Sequence, residues 1–148
     1  MASTTFSGPV TSTNGFVGAL TGNIAGTGSI THTPTAINAT ATATAAQVAT
    51  GYITSTSAAA TAITLPTGTL LGAALGAVQG TVFDLYIDNT AGASAVSIVA
   101  AVNGILSTAG VDTAGSFGDL TVASGVTGLG RYTIMFSSAT AYVFTRTA

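Results

Sequence analysis

Cysteine, lysine and glutamate are missing from this chain altogether. Without cysteine there is neither a disulfide framework nor a thiolate metal site, so stability must come from packing or from assembly. All formal charge rests on Asp84, Asp88, Asp112, Asp119, Arg131 and Arg146, with His32 the single histidine. Charged residues make up 4% of the chain, against roughly 25% in an ordinary soluble domain. A small domain normally stays in solution through mixed surface charge. This one must rely on Thr and Ser hydroxyls, on hiding surface in an assembly, or on both. Two arginines and a net charge of −2 argue against nucleic acid as a partner, because neutralising several phosphates takes several cations. Long apolar runs are missing too. Mean hydropathy is +0.66, yet the richest stretch, residues 70–78, falls far short of the roughly 20 residues a spanning helix needs. The first residues show neither the basic nor the apolar region of a signal peptide. No membrane partner is expected.

The missing residue types also empty the list of chemistries. A Ser-His-Asp hydrolase needs a histidine base oriented by a carboxylate; His32 lies between Thr31 and Thr33 in a segment poor in large side chains, and no Gly-x-Ser-x-Gly elbow occurs. Asp84 and Asp88 share one face of a strand but stand about 13 Å apart at roughly 3.3 Å per residue, too far for paired acid–base work on a glycosidic bond. A calcium site at Asp84 and Asp88 would need about six to eight oxygens, with Asn89 and backbone carbonyls among them; turn capping is the simpler role for Asp88 and Asn89. The Gly-rich stretch 22–28 lacks the lysine of a phosphate loop, and Gly128-Leu129-Gly130-Arg131 lacks the third glycine of a dinucleotide fingerprint. Asn38-Ala39-Thr40 matches a glycosylation sequon. The Thr-x-Thr spacings at 31, 33 and 35 and at 40, 42 and 44 are too short and irregular for an ice-binding array. No catalytic residue, metal or cofactor is expected, and the chain is read as a non-enzyme.

What is present is β-forming. The 148 residues suffice for one domain plus an extended segment; a domain of this size buries roughly 70% of its unfolded surface. Residues 1–46 form a zone of Gly, Thr, Ala and Asn, and residues 47–148 hold most aromatics. In the first zone Phe6, Pro9 and Val10 precede Asn14-Gly15, a hairpin signal because both turn positions favour positive φ. Phe16, Val17 and Leu20 follow the turn, and residues 21–24 and 26–30 then make a loose short repeat with one aliphatic residue each, Ile24 and Ile30; large side chains are too few here for a core. This arm is expected to become ordered on another surface or by winding with its own copies. The Ala/Thr alternation over 39–46 has the period of an extended strand.

In the second zone strands are expected at 51–56 and 62–65, and a short helix near 69–78, weakened by Gly72 and Gly76. Thr81 to Asp88 should turn Phe83, Leu85 and Ile87 one way and Asp84, Tyr86 and Asp88 the other. Residues 89–94 then make a turn, with 96–99 returning as the partner strand. Asn103-Gly104 marks another turn, 117–122 a strand and 125–130 a loop. The strand with Tyr132, Ile134 and Phe136 closes as a hairpin with 142–146. Short strands at regular spacing with Gly and Asn turns argue an all-β fold, a β-sandwich or jelly-roll-like domain behind an extended N-terminal arm. Phe83, Leu85, Ile87, Ile134 and Phe136 are its expected core. Arg131 and Arg146, at the ends of the final hairpin, are candidates for ion pairs with Asp84, Asp112 or Asp119, which could set register in so uncharged a protein.

The segment from Phe6 through Pro9, Asn14-Gly15 and Phe16 to Asn23 resembles the N-terminal segments of bacteriophage head-decoration, cement and head-fibre proteins. Residues 80–91, the strand 96–98 and the hairpin 131–146 resemble the β-domain of the same group. The resemblance implies a non-enzymatic, homotrimeric structural protein on the outer capsid surface of a virion. It would bridge capsomers, with the arm against the major capsid protein. Phe6, Pro9, Val10, Phe16, Val17, Leu20 and Ile24 are then the expected capsid or subunit contacts. A head-fibre or tail-fibre module that contacts the host surface is the alternative, with Tyr52, Tyr86 or Tyr142 lining a shallow site.

Overall fold

The computed structural model describes residues 31–106 and 120–147. The interface candidates Phe6, Pro9, Val10, Phe16, Val17, Leu20 and Ile24, together with Asp112 and Asp119, lie outside these described residues. Among them the chain is mostly strand: β1 (Thr35–Ala36), β2 (Ala41–Thr42), β3 (Tyr52–Thr54), β4 (Thr61–Thr64), β5 (Val82–Asp88), β6 (Val96–Val99), β7 (Gly104–Leu106), β8 (Thr121–Val122), β9 (Leu129–Ser138) and β10 (Ala141–Arg146). Two short helices interrupt it, α1 (Ala45–Ala49) and α2 (Gly68–Leu75).

The strands fall into two mixed sheets, one in the order β1-β3-β5-β9-β10-β7 and the other in the order β2-β4-β6-β8. Through the first three rounds the chain lays one strand in the larger sheet and the next in the smaller. Neighbours within each sheet are therefore successive passes running the same way. The ladders β1-β3, β3-β5, β2-β4 and β4-β6 are all parallel. Parallel neighbours need long crossover connections, and here the crossover contains a strand of the other sheet. Antiparallel pairing appears only in the later part, at β5-β9, β9-β10 and β6-β8.

This order corrects one expectation. Residues 96–99 do form a strand, but β6 does not return beside β5; it joins the smaller sheet between β4 and β8. The parallel ladders also differ from the antiparallel double Greek key of a jelly roll. The closing hairpin of β9 and β10 is found, with a register irregularity between Ala141 and Tyr142.

One apolar cluster draws on both sheets. Ile53, Leu85, Ile87, Tyr132, Ile134, Phe136, Tyr142 and Phe144 come from the larger sheet, and Ile63, Val96, Ile98 and Val122 from the smaller. Phe83 packs on the cluster but is only partly buried. The alternation read along 81–88 places Leu85 and Ile87 inward. Tyr142 is a second correction: it is fully buried, with its hydroxyl donating to Pro66 O at 2.9 Å, and lines no surface site.

The Ala/Thr alternation does not continue as a strand. Extended structure ends at Thr42, and α1 begins behind a capping box in which Thr44 Oγ1 accepts from Gln47 N–H and Gln47 Oε1 accepts from Thr44 N–H. Reciprocal satisfaction of two free amides outweighs a period-two pattern of residues without strong strand preference. The compositional boundary at residue 46 thus falls inside a helix, and Thr31–Ala148 is one compact unit. Helix α2 occupies the expected place, capped by Thr67 and ended by Gly76 at φ 59°.

Candidate functional site

The outward face of the larger sheet gathers most of the polar chemistry of the described residues. The pleat sends Tyr52, Tyr86 and Arg131 to that face directly opposite one another on β3, β5 and β9. The next row carries Asp84 and Thr133, also directly opposed. Arg131 Nη2 donates to Asp84 Oδ2 at 2.6 Å, and Thr133 Oγ1 donates to Asp84 Oδ1 at 2.8 Å. The Arg131 guanidinium above all holds the Asp84 carboxyl below the usual carboxylate range, against the opposing effect of burial and with a lesser contribution from Thr133. At the other end of β5, Asp88 accepts from the Thr90 amide and hydroxyl through Oδ1 and from the Tyr52 hydroxyl through Oδ2 at 2.5 Å. Thr90 and Tyr52 lower the Asp88 carboxyl, and the same bond raises the Tyr52 phenol.

Tyr86 stands between neighbours. The Arg131 guanidinium carbon lies 5.9 Å from its ring centre, and the His32 ring lies 5.8 Å away at an interplanar angle of 48°. His32 is anchored through Nδ1, 2.9 Å from Thr50 O. A carbonyl only accepts, so Nδ1 donates the proton in this contact. Nothing in the sequence announced the contact between His32 and Tyr86, which are separated by more than fifty positions and meet because β1, β3 and β5 are stacked neighbours.

Arg146 does something different. Its register partner on β9 is the inward-facing Tyr132, and Nη1 reaches across to Thr121 O at 2.8 Å. It thereby ties the last strand of the larger sheet to the edge strand of the smaller one.

The smaller sheet contrasts with this face. Its strands β2, β4, β6 and β8 contain no charged residue. Thr42, Thr64 and Val99 make one cross-strand row, and Ala62, Ser97 and Thr121 another. At one end of the sheet a groove of about 390 Å³ opens between Ala43, Ala45, Leu65, Pro66, Leu70 and Ala101. Leu70, Val99 and Val102, beside it, are exposed. Chemically, this side offers van der Waals contact and hydroxyls; the opposite side offers an ion pair, carboxylate oxygens and phenols.

No family model, curated protein or solved structure matches the chain. Among the described residues no three His, Cys, Asp or Glu side chains come close enough to hold a metal ion, and no helix is long and apolar enough to cross a membrane.

Proposed function

We propose that this chain is a structural protein of a bacteriophage virion. It decorates the outer capsid surface as a homotrimer that bridges capsomers and contacts the major capsid protein. The observation that carries the reading is the segregation of charge. Asp84, Asp88, Arg131 and Arg146, the charged residues of the described chain, all belong to strands of the larger sheet. The smaller sheet and the groove beside it present only uncharged residues: Thr, Ser, Ala, Leu, Val, Ile and Pro. An uncharged face suits a permanent structural contact, because such contacts are more apolar than transient ones and are little screened by salt. The resemblance of the segment around Phe6, Asn14-Gly15 and Phe16 supports the same reading. We read the two sheets and their shared core as a sandwich wound from successive passes, a rigid body suited to clamping a joint between capsomers. Its role is mechanical and non-enzymatic.

The test is made on particles. Stripping the protein under mild conditions should leave particles that release their contents at lower temperature, and adding it back should restore their heat resistance. Particles whose heat resistance ignores both its loss and its return would refute the reading.

A second reading, a head-fibre or tail-fibre module that contacts the host surface, is favoured by the Tyr52-Tyr86-Arg131 row with His32 beside it. Labelled protein, free of particles, binding host cells and losing that binding on Tyr52→Ala would select this reading over the first.

A further inference from the structure

The three asparagines of the described residues have different surroundings. Asn38 Oδ1 accepts the Thr56 amide at 2.9 Å. Asn89 is fully buried, and its Nδ2 donates to Ser94 O, Val122 O and Ala123 O. Asn103 is exposed and sits at φ 61°, the one non-glycine residue with positive φ among the described residues. Its side-chain amide has no hydrogen-bond partner there, and the next residue is Gly104, whose missing side chain leaves the peptide nitrogen unshielded.

We infer that Asn103-Gly104 is a site of spontaneous deamidation in the folded protein, with solvent water as the co-reactant. After solvent base removes its proton, the Gly104 nitrogen attacks Asn103 Cγ. The N–Cγ bond that forms closes a cyclic imide, and the Cγ–Nδ2 bond breaks with release of ammonia. Water then adds at Cγ and breaks the Cγ–N bond to give aspartate, or adds at the backbone carbonyl carbon and breaks its bond to the same nitrogen to give isoaspartate; the nitrogen takes a proton from water in either case. No electrons change hands. The Gly104 N–H donates to Ala101 O at 3.0 Å, so this turn must open before the attack, and the reaction is slower than in an unfolded chain.

The position gives the reaction a structural consequence. Asn103 O accepts the Tyr142 amide at 3.0 Å, and the Tyr142 ring packs so closely on Gly104 that a Cβ there would lie 2.5 Å from it. Isoaspartate lengthens the main chain at this point, where β7 starts its parallel pairing with β10. It therefore loosens that edge strand. Either product also places a carboxylate beside Val102, on a part of the chain that carries no charge from Thr90 to Leu106.

The test is incubation of the full chain under native conditions at neutral and mildly alkaline pH, followed by peptide mapping and enzymatic methylation of isoaspartate. Conversion should appear in the Asn103 peptide, accelerate with pH, and be absent at Asn38 and Asn89. Asn103→Gly keeps the positive φ and should abolish the signal from that peptide while leaving the fold unchanged. Hydrogen exchange of the Tyr142 amide should be faster in the isoaspartyl fraction than in fresh protein. Conversion confined to Asn14-Gly15, or conversion at Asn103 only after unfolding in urea, would overturn the inference.

Discussion

Asn89 closes the turn after β5 from the inside. Its side-chain nitrogen serves three carbonyls, from Ser94, Val122 and Ala123, while its backbone amide donates to Gly128 O. Its Oδ1 is buried without a partner. Removing the donor leaves buried carbonyls unsatisfied, so Asn89→Ala should lower the unfolding free energy by about 1–3 kcal/mol. Asn89→Asp should be worse than Asn89→Ala, since it turns a carboxylate toward those same oxygens. Urea midpoints of the two variants check both the size and the order. Tyr142 gives a second residue-scale expectation. Burial pushes its phenol up to about 12 from 10.0. The unfolded chain then releases this proton first, so folding keeps its full contribution below pH 10 and loses it progressively between 10 and 12. Alkaline denaturation followed by circular dichroism should show a steep loss in that window, and Tyr142→Phe should flatten it.

Helix α2 shows how an element can be legible while its reason is not. Leu70, Leu71 and Leu75 at helical spacing reveal it, and Gly72 looks like a weakness. The structure explains the glycine: a Cβ at Gly72 would lie 1.9 Å from Ala139 O, in the turn between β9 and β10, and one at Gly68 would lie 2.2 Å from Thr140 O. Two opposing effects meet at this position. Alanine is the better helix former by about 1 kcal/mol, while forcing a methyl into a packed contact costs about 1–3 kcal/mol. The contact is with backbone, which cannot rotate away, so the clash should win. Gly72→Ala should lower the thermal midpoint, as calorimetry would show; a raised midpoint would mean that the helix and the turn separate easily. Helix α1 was missed for the converse reason. Its Thr44-x-x-Gln47 capping signal sat inside an Ala/Thr alternation that reads as strand, and five residues are too few to show a period of 3.6.

At the scale of the molecule, the scarcity of charge becomes a statement about response to salt. The one described salt bridge, Arg131 to Asp84, is partly exposed, and exposed pairs contribute little to stability. The core is apolar and shared by both sheets. The thermal midpoint should therefore stay unchanged as sodium chloride is raised from low to physiological strength, and should rise in sulfate, which strengthens burial. A midpoint that falls steeply with sodium chloride would show that the polar face, rather than the core, governs stability.

The residue pattern alone determined that the chain is mostly strand, where most strands lie, and which side of 82–88 faces inward. These follow from side-chain alternation and turn residues, which are local. Beyond the closing hairpin of β9 and β10, only the tertiary structure decided which strands are neighbours. The turn at 89–94 could have returned the chain beside β5 or passed it to the other sheet, and the local sequence suits both. The choice is held by Asn89 bonding to carbonyls more than thirty positions away and by the burial of Val96 and Ile98 in the core cluster shared with the larger sheet. The same stacking brings His32, Tyr52, Tyr86, Asp84 and Arg131 onto one face, a grouping set by pairing between distant segments and therefore absent from any local pattern.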